Sequence, residues 1–246
     1  MFIHWIFLIS CVTLISSKRI PGRIVGGKVV AIKSVPWQAS LEKRGEPWCG
    51  AVIYSEKIVI TAAHCTEFLW PAILSVRVGS SNSESGGQVV RVSRILAHEK
   101  FGEYYDISDD VAVIKLKTSL KMGVSVKSIP LANRSPKPGS LASVSGWGRI
   151  GYSMDPSRTL LETTVAIVDW HKCRKSYYGR VTKDMICASA PGKDSCAGDS
   201  GGPLVFGGKL VGIVSFGYGC ADPQYPGVYA DVAELKPWIL KAIKRL

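Results

Sequence analysis

An all-β protein of the sandwich or barrel kind is the fold class that this sequence predicts. Three observations carry the prediction. Runs of Val, Ile and Leu, some alternating with polar residues and some continuous, recur along the chain. Turn residues separate these runs at short intervals, and one stretch alone, at the C-terminus, repeats its apolar residues at helical spacing. The runs place strands over 57–60, 75–78, 88–95, 111–116, 141–145, 204–205 and 210–216. The C-terminal stretch, 232–246, predicts a helix with an apolar stripe of Val232, Leu235, Trp238 and Ile239. Its Lys236, Lys241, Lys244 and Arg245 face water. A chain of 246 residues forms one or two compact domains and is long enough to bury a proper core. No internal repeat or low-complexity segment is evident.

The N-terminus reads as an export signal. Residues 2–15 are an apolar run too short to span a bilayer comfortably, ending in Ser16-Ser17, with His4 in place of the usual basic residues before it. Removal of residues 1–17 as a signal peptide leaves 18–23, from Lys18 to Arg23, as a short propeptide ahead of a domain spanning 24–246. No other stretch reads as transmembrane, so a secreted, extracellular protein with no membrane attachment after signal removal is expected. The cysteines agree with export. There are seven; Cys11 leaves with the signal peptide, and the other six are even in number, as a disulfide framework needs. Sequence alone leaves fifteen pairings open for them. No C-x-x-C pair occurs, and His64 and Cys65 are adjacent rather than spaced as ligands, so no metal site is expected.

The formal net charge is +12. Three of the 31 basic residues and none of the 19 acids lie in residues 1–23, which leaves +9 for the remainder. A solvated basic surface is the plain reading; steering toward acidic substrates or polyanions is the other. No nucleic-acid motif accompanies the charge, so no nucleic-acid partner is expected.

The run from Asp194 to Pro203 carries the chemistry. It sets Ser200 between glycines, with Asp199 directly before it and Asp194 six residues before it, on either side of Cys196. A serine hydroxyl becomes a useful nucleophile only when a base takes its proton. All four histidines, His4, His64, His98 and His171, precede Ser200, which excludes the Ser–acid–His order of an α/β-hydrolase. The first aspartate is Asp106, so none precedes His64, and the subtilisin order fails as well. The order His–Asp–Ser survives. It pairs His64, in Thr61-Ala62-Ala63-His64-Cys65, with Asp110, which opens the buried strand that follows it; Asp106 and Asp109 are the rival acids.

These blocks, with Arg23-Ile24-Val25-Gly26-Gly27, Ser145-Gly146-Trp147-Gly148, Ser215-Phe216-Gly217 and Pro226-Gly227-Val228-Tyr229, stand in one order over residues 23–246. In this the chain resembles the trypsin-like serine proteases of the chymotrypsin family, and most of all the three-disulfide insect-type trypsins. The resemblance implies two antiparallel six-stranded β-barrels with a C-terminal helix and the active site in the cleft between them. The barrel boundary is expected near the Lys-, Ser- and Pro-containing stretch 117–135. The resemblance also implies the pairings Cys49–Cys65, Cys173–Cys187 and Cys196–Cys220. A further bridge common in vertebrate members would need cysteines at Ala142 and Phe206, and both are absent together.

The same resemblance assigns roles. Ser200 is the nucleophile, His64 the base and Asp110 the residue that orients it, as in a Ser–His–Asp triad. The backbone N–H groups of Gly198 and Ser200 form the oxyanion hole. Asp194 floors the primary specificity pocket, which Ser195, Ser215, Phe216, Gly217 and Gly227 line, so cleavage after Arg or Lys is expected. Cutting after Arg23 frees an amino terminus at Ile24 that pairs with Asp199, which makes the chain a zymogen. No cofactor is implied. Protein or peptide substrates are the expected partners, with protein protease inhibitors as further candidates and a monomer as the working state. The competing class is a non-catalytic protease homologue that acts by binding, but such homologues usually lose a triad residue. His98 and His171 are expected at the surface.

Departures from the family pattern are informative. Phe216 stands where many members have Trp, and Ala197 replaces a larger polar residue near the pocket mouth. The loop 79–87 holds one acid, Glu84, too few for calcium. Asn133-Arg134-Ser135 fits a glycosylation sequon, followed by Pro136.

Overall fold

Two closed antiparallel barrels pack side by side in the computed structural model, which describes residues 24–102, 107–151 and 153–246. The expected signal peptide, the propeptide with Arg23, and Asp106 lie outside the described residues. The first barrel uses β2 (Gln38–Lys43), β3 (Glu46–Ile53), β4 (Ile58–Thr61), β5 (Leu74–Val78), β6 (Gln88–Ala97) and β7 (Ala112–Leu116), closed in the order β2-β3-β4-β7-β6-β5. The second uses β8 (Leu141–Gly146), β9 (Leu161–Val168), β10 (Met185–Ser189), β11 (Pro203–Phe206), β12 (Lys209–Phe216) and β13 (Gly227–Asp231). Its order is β9-β10-β13-β12-β11-β8, and the β8–β9 pairing closes it. A two-strand edge, β1 (Lys28–Val29), adds to β9. The fold is the two-barrel architecture that the sequence implies, and closure leaves each barrel without long free edges.

The β2–β3 hairpin turns at Arg44 (φ 55°) and Gly45 (φ 88°). Two consecutive positive φ values are what a two-residue loop matched to strand twist demands, and Gly45 meets that demand without a side chain. β2 hides its strand character. Gln38, Ser40 and Glu42 alternate with Ala39 and Leu41, yet all five are buried. Glu42 is held inside by Arg77 Nε (2.7 Å) and Ser75 Oγ (2.8 Å), partners that compensate the cost of burying its charge.

Both chain ends cross to the other barrel. Ile24 is fully buried, and Val25 forms a bridge with Asp194 in the second barrel. The C-terminal helix α2 (Val232–Arg245) buries Val232, Leu235, Ile239 and Ala242 and packs against β7 of the first barrel as well as β12 and β13. Its apolar face joins Ile213 and Leu210 to Val113 and Ile114 in one continuous core. Trp238 is half-buried at the edge of this face, where its indole N–H donates to Glu99 (2.6 Å). A second, short helix, α1 (Trp170–Ser176), starts at Asp169, whose carboxylate accepts the Lys172 N–H (3.0 Å). The six cysteines pair as Cys49–Cys65, Cys173–Cys187 and Cys196–Cys220. Among the described residues no helix is long and apolar enough to cross a membrane.

α2 begins at Asp231, which accepts the Ala233 N–H (2.9 Å) and the Ser135 hydroxyl (2.6 Å) while buried. Asp231→Ala is expected to cost about 1–2 kcal/mol, because a helix donor loses its cap and the Ser135 hydroxyl its acceptor. Urea unfolding of the two proteins measures the difference, and Asn at 231 is expected to recover part of it.

Candidate active site

The two barrels meet along a seam of backbone contacts, and the chemically active side chains lie on it. β3 brings Gly50 against the 199–202 turn, where the Gly50 N–H donates to Ser200 O (2.7 Å). Thr61 Oγ1 at the end of β4 donates to Gly50 O (2.8 Å), and Ser145 Oγ of the second barrel donates to Gln38 Oε1 of the first (2.7 Å). These buried, satisfied polar contacts fix the spacing of the barrels.

His64 sits in a short 3₁₀ turn (Ala63–Cys65) directly after β4. Asp110 precedes β7, the partner of β4, so strand pairing sets the two side by side. The His64 N–H donates to Asp110 Oδ1 (3.0 Å), and His64 Nδ1 lies 2.7 Å from Asp110 Oδ2. That second oxygen also accepts the Ser215 hydroxyl (2.5 Å), and the Asp110 side chain is only 1% exposed. Three donors therefore hold one buried carboxylate. Burial alone would lower the His64 pKa, but the hydrogen bond and charge of Asp110, with a smaller contribution from Glu67, raise it above its ordinary 6.5. His64 Nε2, the free ring nitrogen, and Ser200 O each lie 3.7 Å from Cys65 Sγ, so the imidazole edge and the Ser200 backbone flank one sulfur.

Ser200 is half-buried and lines a cleft of about 650 Å³. The preceding residues turn sharply. Gly198 takes φ 96°, a conformation suited to glycine, and a Cβ there would press on Gly148. The Asp199 N–H is used by Cys196 O (2.9 Å). Among the described residues no protein acceptor takes the N–H of Gly198 or of Ser200, so two donors stay available on either side of it. Asp199 itself points inward and is fully buried; its oxygens accept the N–H groups of Gly148 (2.8 Å) and Cys196 (3.0 Å). Desolvation pushes its pKa up to about 7 against these two bonds.

Asp194 lies at the closed end of the cleft. Its Oδ2 accepts the Ala221 N–H (2.9 Å), whereas its Oδ1 is buried without a partner. Burial raises its pKa to about 6, and the Ala221 and Ser195 N–H groups pull the other way. The cleft walls include Ser195, Ser215, Phe216, Gly217 and Gly227. At Gly227 a Cβ would stand 2.7 Å from Asp194 Oδ1, so only glycine fits beside that oxygen. The structure thus brings His64, Asp110, Ser200, Asp194 and Asp199 to one seam and one cleft.

These residues sit in a stretch, 24–239, that matches the family model for trypsin. The chain belongs to the trypsin family. Trypsin beta of Drosophila erecta and trypsin alpha of Drosophila melanogaster are each 48% identical to it over 227 residues. The matches cover 90% of this chain and 89% and 88% of those proteins. Trypsin alpha-4 of Lucilia cuprina is 46% identical over 227 residues. Among solved structures, neuropsin, a serine protease expressed in the limbic system of mouse brain, aligns with a TM-score of 0.83 at 37% identity. That alignment covers 88% of this chain and 98% of neuropsin. The protein is therefore a trypsin-like serine endopeptidase acting on protein substrates.

Two details escape the sequence. His98, expected at the surface, is not there: its side chain is only 9% exposed, stacked on Trp238 (4.6 Å between ring centroids) with Nε2 3.6 Å from Asp109. Asp109, one of the rival acids, thus faces His98, and its N–H donates to Asp184 Oδ2 (2.7 Å). Ser215 is more than a cleft wall, because its hydroxyl completes the donor set of Asp110. The cluster Cys49–His64–Cys65 has its ligand-type atoms within 4.8 Å of one another, but its two sulfurs are joined as a disulfide and offer no thiolate to a metal.

Ser215→Ala is expected to destabilise the fold by about 1.5–3 kcal/mol, the range for a hydrogen bond to a buried charge. It is also expected to lower kcat more than KM, and denaturant melts with steady-state rates on one peptide amide measure both.

Proposed function

We propose that the protein is secreted as a zymogen and, once cut after Arg23, hydrolyses peptide bonds on the carboxyl side of Arg or Lys. The observation that carries the specificity is Asp194 Oδ1, a buried carboxylate oxygen with no partner at the closed end of the cleft that Ser200 lines. An unpaired buried charge is costly, and an entering guanidinium or ammonium relieves the cost while an apolar side chain does not. A side chain at 227 would crowd that oxygen.

In the catalytic cycle Ser200 Oγ attacks the scissile carbonyl carbon as His64 Nε2 accepts its proton. Asp110 fixes the tautomer with the proton on Nδ1 and stabilises the imidazolium. The unused N–H groups of Gly198 and Ser200 receive the oxyanion, where a single donor is worth about 3 kcal/mol of barrier. His64 then gives its proton to the leaving amine. Water, activated by the same imidazole, hydrolyses the acyl-enzyme and restores Ser200.

Activation follows from Asp199. Among the described residues it is a buried carboxylate with two N–H partners and no cation. Cleavage at Arg23 creates an ammonium on Ile24, a buried residue next to the Val25–Asp194 bridge. Pairing of that ammonium with Asp199 orders the 194–200 turn, and with it the pocket and the oxyanion donors. Residues 1–17 serve as the signal peptide, and the mature enzyme works as a monomer open to protein inhibitors.

Initial rates on P1-Arg, P1-Lys, P1-Phe and P1-Ala peptide amides, before and after cutting at Arg23, test the whole reading. Turnover is expected only after cutting and only with P1-Arg or P1-Lys; preference for Phe or Ala would overturn the pocket assignment. Ser200→Ala is expected to lower kcat by about 10⁶, and Asp194→Ser to lower kcat/KM on P1-Arg by about 10²–10³. Full activity of cut Asp199→Ala protein would sink the activation mechanism.

The pH dependence separates two groups. His64 acts as the neutral base and its pKa is raised, so kcat falls with acid along a limb lying above 6.5. Asp194 loses its charge as pH drops through about 6, so KM for P1-Arg rises below that pH. The KM limb is expected to vanish in Asp194→Ser while the kcat limb stays.

A further inference from the structure

Outside the cleft, a band of cations runs over β6, β7 and the end of α2. Its origin is a β-bulge. Arg91 and Arg94 are three residues apart in β6, so a regular strand would send them to opposite faces. The register shifts between Val92 and Arg94, and both arginines emerge on the outer face. β7 adds two more cations. Lys115 stands opposite Arg94, and the Lys117 N–H donates to Arg91 O (2.9 Å). The end of α2 joins the band, because Arg94 Nη1 donates to the Arg245 carbonyl and to the Leu246 α-carboxylate (3.4 Å each), and Lys115 Nζ donates to that carboxylate. Lys241, Lys244 and Arg245 are exposed on that helix. Glu99 lies near Lys241 and accepts the Trp238 N–H (2.6 Å). Apart from the Leu246 carboxylate on Arg94 and Lys115, no side-chain carboxylate among the described residues ion-pairs with a cation of the band.

Beside Arg91 and Lys117 the band opens into a cleft of about 420 Å³ bounded by Trp70, Pro71 and Ala72. Trp70 is 77% exposed, an unusual position for the largest apolar side chain. A flat aromatic face next to an arginine fork and a lysine suits a ring that bears anionic oxygens, since the guanidinium meets a sulfate bidentately. The cations run on as a row beyond the cleft, so the matching ligand is linear and repeats its charges.

We infer that the face formed by Arg91, Arg94, Lys115, Lys117 and the C-terminal turn of α2, with Trp70 as its platform, binds a linear sulfated polysaccharide. No residue of this face lines the cleft of Ser200, so the bound enzyme keeps its peptidase activity. The site depends on the band alone and stands whether or not the Arg/Lys specificity holds.

The test is retention of the full-length chain on immobilised heparin, with the salt concentration at elution as readout. Elution well above physiological salt is expected. Arg91→Glu with Lys117→Glu is expected to weaken heparin binding about tenfold or more and to flatten the plot of log affinity against log salt by at least the roughly 0.7 per lost ionic contact. Lys172→Glu with Lys175→Glu, the same change in net charge on exposed positions of α1, is the control and is expected to shift elution far less. Trp70→Ala is expected to weaken binding with little change in salt slope. Hydrolysis of a small peptide amide is expected to be unaltered in all of these variants and by added heparin. Elution of the parent below physiological salt overturns the inference. Equal shifts in the two double variants would reduce the band to a share of overall charge and overturn it too. Displacement by polyglutamate as effective as by heparin at equal charge would assign the face to an acidic protein instead.

Discussion

The buried carboxylate of Asp199 is the constraint on which the site depends. It sits under the turn that carries Ser200 and holds the N–H groups of Gly148 and Cys196, so the loops at 146–149 and 194–200 are fastened through one side chain. Two neutral donors do not repay full desolvation of a charge, and the pKa near 7 records the deficit. The sign follows directly. A carboxylate raised in the folded state from 3.8 to about 7 carries no penalty below the lower value, a growing one between the two, and the whole of it above the upper one. Near pH 7 that is about 4 kcal/mol against this conformation. An ammonium brought to Asp199, as the proposed activation requires, would cancel most of it.

Three buried acids converge on the cleft, and their partners give them three different chemistries. Asp110 is held by the His64 N–H, the His64 ring and the Ser215 hydroxyl, so its orientation is fixed. Asp199 accepts two N–H groups and, in the proposed activation, receives a cation from its own chain. Asp194 has one buried oxygen without a partner, which the proposed specificity fills with a cation of the substrate. On that reading the same residue type serves orientation, activation and recognition, and the number of donors around it tells the uses apart.

The apolar runs mark β4 to β7 of the first barrel and the C-terminal helix, but only β8, β11 and β12 of the second. Strands with uninterrupted apolar runs, such as 111–116 and 210–216, lie close to β7 and β12. β2 and β3 escaped because buried Gln38, Ser40 and Glu42 break the alternation, and because Arg44-Gly45 is a weak turn signal beside Asn-Gly. α1 escaped because seven residues with only Cys173 buried present no stripe, although Asp169 marks its start. The site was readable as motifs, since chain order alone singles out His–Asp–Ser. Its supporting contacts were not. Nothing in the residues around His98 shows that its ring turns inward onto Trp238, and nothing around Ser215 shows that its hydroxyl reaches across the seam to Asp110. Such contacts join residues 105 and 140 positions apart.

Under the proposed Arg/Lys specificity a basic protein would recognise basic side chains, an electrostatic conflict that screening resolves. Residues 24–246 carry +9 overall, which should repel a substrate rich in Arg or Lys. Exposed charges farther apart than a Debye length, about 8 Å at physiological ionic strength, barely sense each other. The band on β6, β7 and α2 is mostly exposed and therefore screened. Asp194 is buried, where screening is weaker. On the proposed readings, positive charge accumulates on an outer face and serves a polyanion, while a single buried carboxylate governs what enters the cleft.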